Sequence, residues 1–172
     1  DGIAGRCNLC RHAHQSTGQA VPLPTLYHCP IPRAGPMRTL GDMAWLNRYI
    51  GVPYVFGGRD MNGLDCYGLV KLIYLNHYGY ELPDWTTDVL NMRVRASEFE
   101  NAVTSGDFTQ KDEPEDGDLV ICYRTKAAHH MGIYYAGGVI HCVDGIGVVY
   151  EPLPRFRRNY TNIIFGEWHP CP

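Results

Sequence analysis

The 172-residue chain has no apolar run of the length that spans a bilayer and no apolar block of the signal-peptide kind. Its first residue is Asp1 rather than Met, so the missing leader pattern says little about export. It carries no internal repeat and no low-complexity tract. A basic stripe is absent too: 15 Lys and Arg are outweighed by 18 Asp and Glu, for a formal net charge of -3, which argues against nucleic acid as a partner. The seven cysteines do not follow the spacing of a small disulfide scaffold, and an odd count leaves at least one thiol unpaired within the chain. What the sequence does have is a 45% apolar composition, enough to bury a core and consistent with one domain plus a short appendage.

Residues 1–36 differ in texture from the rest. They hold five of the twelve prolines and lack apolar periodicity, so they read as an irregular arm, with residues 37–172 as the folded domain and Met37 as a candidate internal start. Within the arm, Cys7 and Cys10 form a C-x-x-C pair near Cys29, His12, His14 and His28. Such thiols can hold zinc or an iron–sulfur cluster, but the second half of a ligand set is irregular, and a disulfide or idle thiols fit as well. We therefore assign no metal. With so few apolar residues, the arm is expected to order on a partner's surface.

Beyond the arm, apolar residues at Leu40, Met43, Ala44, Leu46 and Ile50 predict a helix over about 38–50, stopped by Gly51. A Gly- and Asn-rich loop follows. Cys66, Leu69, Val70, Leu72 and Ile73 then predict a second helix running to His77–Gly79, with Asp65 at the N-cap. Residues 86–103 are loosely helical and 106–117 loop-like. After them the period changes to that of strands at 118–123, 131–136, 138–143, 147–152 and 162–168. Helices first and an antiparallel sheet second indicate an α+β fold.

Four features carry chemistry. Cys66 falls in the first turn of a helix, where unpaired N–H groups and partial positive charge favour a thiolate; Gly63 and Gly68 leave room for a substrate backbone. A buried structural cysteine is the bland alternative. His130 opens a strand and supplies an imidazole with the pKa of a general base, while alternation turns His129 to the opposite face. His141 lies across a hairpin turn at Ala136–Gly138, placed to orient His130. Tyr54, twelve residues before Cys66, could present its hydroxyl near the thiolate or an oxyanion; a packed aromatic is the alternative. The run PRFRRNY at 154–160 reads as a solvated loop, with contact to an anionic polymer as a weak rival.

In order and spacing, PYVFGG, GLDCYGLV, GDLVICY, HMGIYY and VIHCV resemble the NlpC-type cell-wall cysteine peptidases over about residues 40–152. The resemblance implies a reduced papain-like fold in which a Cys-bearing helix packs on an antiparallel sheet bearing His. It implies hydrolysis of peptidoglycan stem peptides without metal or cofactor. Carried over by position, Cys66 is the nucleophile, His130 the base, His141 the third polar residue and Tyr54 the tyrosine near the thiol. Asp65 matches an acidic residue that helps hold the free amine of the stem. Many members have Ser after the nucleophile, lining the substrate pocket; here it is Tyr67. An aromatic there, followed by Gly-Leu-Val, resembles the bacteriophage tail-associated subgroup. That implies tail-tip proteins as partners and a virion-tail location, with a secreted or periplasmic bacterial protein as the alternative.

Three rivals remain. A metal hydrolase using His129, His130, His141 and Cys142 would need strand neighbours to converge on one ion. A non-catalytic tail subunit would have no use for the Cys, His and His it retains. An acyltransferase would share the thioester but pass it to an acceptor other than water.

Overall fold

The computed structural model describes residues 43–79, 81–82, 108–126 and 128–168. The arm at 1–36, with Cys7, Cys10 and Cys29, and the loosely helical stretch at 86–103 lie outside the described residues. So do residues 38–42 of the first expected helix; its remainder is a 3-10 turn at Met43–Arg48.

The framework is a six-stranded antiparallel sheet. Its strands are β3 (Phe108–Lys111), β4 (Leu119–Tyr123), β5 (Ala128–Tyr135), β6 (Gly138–Val143), β7 (Gly147–Pro152) and β8 (Asn162–Trp168), in the spatial order β3-β8-β4-β5-β6-β7. A two-residue pair, β1 (Arg59–Asp60) and β2 (Gly63–Leu64), pins the loop ahead of the cysteine helix. That helix, α1 (Cys66–Ile73), continues as a π-turn over Tyr74–Tyr78 and ends at Gly79, whose φ of 71° is the left-handed stop expected of glycine.

The residues make these elements for identifiable reasons. Along β6, Ile140 and Cys142 face one side while Val139 and His141 face the other, the two-residue period of a strand. Ile121, Met131, Ile133, Ile140 and Val148 form one wall of the main core, and Leu69, Val70 and Ile73 of α1 close it. Each such fully buried aliphatic contributes about 1.5–3 kcal/mol. Val120, Cys122, Val139 and Phe165 build a second cluster on the opposite face, capped by Phe156 from the short helix α2 (Leu153–Phe156). Covered on both faces, β4 is an unbroken apolar run, Leu119 to Cys122, rather than an alternating one.

The α+β arrangement, with helix packed on antiparallel sheet, is as expected. Strands 138–143, 147–152 and 162–168 fall where the sequence pattern puts them. Three local readings need correction. Strand β3 lies inside the 106–117 stretch read as loop, pairing with β8 through residues as polar as Thr109, Gln110 and Lys111. Strand β5 begins at Ala128, so His130 is its third residue. The PRFRRNY run is solvated, as its exposed arginines show, but it is not a loop: Pro154 occupies the first turn of α2, and a 3-10 turn follows at Arg157–Asn159.

Candidate active site

Asp65 organises the start of α1. It is only 3% exposed. Its Oδ1 accepts hydrogen bonds from the Gly68 amide at 2.6 Å and from Arg59 Nη1 at 2.8 Å, and its Oδ2 accepts from the Gly57 amide at 3.1 Å. The first bond is the N-cap contact that satisfies an otherwise orphaned amide. The other two tie the helix to the preceding loop. Arg59 also donates to the Gly58 carbonyl and lies 5.5 Å from the ring centre of buried Tyr67. Three internal donors thus fill the Asp65 carboxylate.

The glycines expected to admit a substrate backbone are filled by the protein itself. A Cβ on Gly68 would stand 2.0 Å from the Gly58 carbonyl oxygen, and one on Gly63 would meet Val55 Cγ2 at 2.2 Å. The glycines let the loop close against the helix rather than leaving space beside Cys66. From the sheet, the Cys142 thiol donates to the Leu64 carbonyl at 3.0 Å, fixing β2 two residues before Cys66. Tyr54 bridges the backbone of Leu64 and packs, half-buried like Cys66, against the edge of the main core.

On the sheet, His130 Nε2 and His141 Nδ1 lie 2.9 Å apart with their rings nearly perpendicular. Burial lowers the proton affinity of both. His130 is depressed further by His141, His129 and Arg124, and His141 falls to about 4 from an ordinary 6.5. Burial thus favours the neutral form of both imidazoles. Phe156 packs edge-on against His141 at 4.8 Å, and Tyr160 stacks almost parallel to His130 at 5.9 Å.

Cys66 belongs to this neighbourhood. It is a half-buried thiol outside any disulfide. Burial first, and electrostatics from Cys66 after it, push up the pKa of Tyr160, the ring stacked on His130, and of Cys122, which pairs with His130 across β4 and β5. A thiol at a helix start thus lies within electrostatic reach of groups that pack on His130, which in turn contacts His141 on the adjacent strand. The sequence model of the NlpC/P60 family matches residues 51–156, a span that takes in the thiol and both imidazoles. The chain belongs to the NlpC/P60 family.

Relatives of this NlpC/P60 chain include the murein DD-endopeptidase MepS/murein LD-carboxypeptidase of Escherichia coli. It is 26% identical over 114 residues, which are 64% of this chain and 54% of that protein. The gamma-DL-glutamyl hydrolase of Bacillus subtilis is 37% identical over 95 residues, 53% of this chain and 20% of the hydrolase. Protein P54 of Enterococcus faecium is 29% identical over 91 residues, 53% and 15% of the two chains. The chain spans about half or less of the length of these relatives. Among solved structures, the NlpC/p60 domain of the peptidoglycan hydrolase SagA aligns with a TM-score of 0.49 at 25% identity, covering 70% of this chain and 92% of that one.

The alternative metal set does not assemble in this NlpC/P60 domain. His129 is exposed, and Cys142 faces the main core, away from His141. No cluster of metal-ligating side chains occurs among the described residues. Two residues at the site went unread in the sequence. Tyr160 was hidden at the end of an arginine run. Glu151, whose Oε2 lies 3.4 Å from His141 Nε2, has no local signal and is found only through strand pairing.

Proposed function

We propose that the domain is a cysteine peptidase that hydrolyses peptide stems of bacterial peptidoglycan, with Cys66 as nucleophile, His130 as base and His141 as the residue that orients it. The observation that carries this reading is the 2.9 Å contact between His130 and His141, in a chain whose α1 opens on a thiol outside any disulfide. Because His130 Nε2 is taken by His141, its Nδ1 is the nitrogen left for the Cys66 proton. The thiolate attacks the stem carbonyl, and the oxyanion forms at the positive end of α1, with Tyr54 beside it. His130 protonates the leaving amine, then activates water to clear the thioester. The substrate class is supported by the murein endopeptidase named among the relatives.

Asp65 enters as the residue that holds the first turn of α1 in place, and Tyr67 as the ring that packs Arg59 over it. Tyr67 in place of the common Ser also supports the tail-tip setting, where the enzyme opens the wall locally for DNA entry. A bacterial wall-remodelling hydrolase is the alternative. Antibody labelling of virions against host envelopes separates the two locations.

Digestion of defined muropeptides, read by mass spectrometry, tests the activity. New stem fragments should form with the intact protein and be absent with Cys66→Ala. Equal cleavage by both proteins would overturn the assignment, and transfer products without hydrolysis would make it an acyltransferase.

A further inference from the structure

His130, His141 and Glu151 step diagonally across three adjacent strands, β5, β6 and β7, on one face of the sheet. His141 pairs with Val149, and Glu151 lies two residues further along β7, the diagonal neighbour that shares its face. The His141 ring is buried, with Nδ1 on His130. Its Nε2 has no aligned hydrogen-bond partner, and the nearest acidic group is Glu151 Oε2 at 3.4 Å. On its far side Glu151 is held by Arg155, whose Nε lies 3.2 Å from Oε1.

We propose that Glu151 is a fourth member of this polar chain, a positioning residue that sets the tautomers of both histidines. The inference rests on the reading of His130 as base. A neutral imidazole carries one N–H and one lone pair. With the proton of His141 on Nε2, the Glu151 carboxylate has a donor and Nδ1 is an acceptor. His130 must then place its own proton on Nε2, which leaves its Nδ1 lone pair open to receive the Cys66 proton. The reverse arrangement sets a buried lone pair against a carboxylate. It also turns His130 round, so that Nδ1 carries a proton and cannot act as a base. One carboxylate, two strands away, thereby aims the base it never touches.

The test is 15N NMR of the histidine rings at pH 7.5 in Cys66→Ala protein, where no thiolate–imidazolium pair intervenes. Both His130 and His141 should be protonated on Nε2. Adding Glu151→Ala should move His141 to a mixture of tautomers, and His130 with it. Glu151→Gln, close to isosteric, should give a smaller change and serves if the Ala variant does not fold. With Cys66 present, Glu151→Ala should lower kcat on muropeptides at least tenfold with KM within twofold, and Gln should restore part of the loss. Unchanged tautomers in both variants would overturn the proposal. The NMR result stands whether or not Cys66 proves hydrolytic, so failure of the peptidase reading and failure of this one are distinguishable.

Discussion

A side chain on Gly132 would put its Cβ 3.0 Å from the Cβ of His141 and 2.6 Å from the Ile140 carbonyl oxygen. Gly132 thus keeps open the lane through which His130, two residues earlier on β5, reaches His141. Gly132→Ala should crowd that lane. Overpacking of this kind costs about 1–3 kcal/mol. The histidine contact should suffer more than the fold, so muropeptide cleavage should drop at least tenfold while far-UV circular dichroism is retained. Wild-type activity in this variant would show that the diagonal contact is dispensable.

Asp65 is the other structural pivot. Asp65→Ala removes the cap on α1 and strips Arg59 and the Gly57 amide of their acceptor. Loss of a cap costs about 0.5–2 kcal/mol, and an orphaned buried donor adds about 1–3. Arg59 is about a third exposed, so solvent softens its share. Urea unfolding should show a loss of about 2–4 kcal/mol for Ala and less for Asn, which keeps an acceptor. Equal, negligible losses would mean that the capping network holds nothing.

Acid sensitivity follows from the histidines. His141 titrates near 4 when folded against an ordinary 6.5, because burial penalises its charged form, and His130 is depressed in the same direction. Between those pH values the unfolded chain binds the proton and the folded chain does not, so stability falls as pH drops from 6.5 towards 4. Below that range both states are protonated at His141 and its contribution stops changing. A tenfold difference in proton affinity corresponds to about 1.4 kcal/mol. His141→Asn should therefore show a shallower decline of unfolding free energy over this window than the wild type. Parallel slopes would contradict the assigned burial.

How much of this was legible depended on whether the signal was local. The Cys66 helix, its Asp65 cap and the strands at 138–143, 147–152 and 162–168 follow from periodicity and from side chains acting on their own backbone. The His130–His141 pairing was readable because a single tight turn joins β5 and β6. Strand β3 was obscured because its polar residues gain their place only by pairing with β8, far along the chain. Helix α2 was obscured because Leu153 and Phe156 alone make its buried stripe, with arginines between and after them. Glu151 and Tyr160 reach the histidines across strands, a relationship that no spacing in the chain encodes. Gly68 looked like an opening because the sequence cannot show which backbone fills it; the Gly58 carbonyl does.

The most direct test is the rate at which iodoacetamide alkylates Cys66 at pH 6.5, followed by peptide mapping, in the wild type and in His130→Ala. If the imidazole takes the thiol proton, Cys66 should label well ahead of the buried Cys122 and Cys142, and His130→Ala should slow it at least tenfold. Equal rates in the two proteins, or labelling that does not favour Cys66, would mean that the thiol and the histidines do not act together.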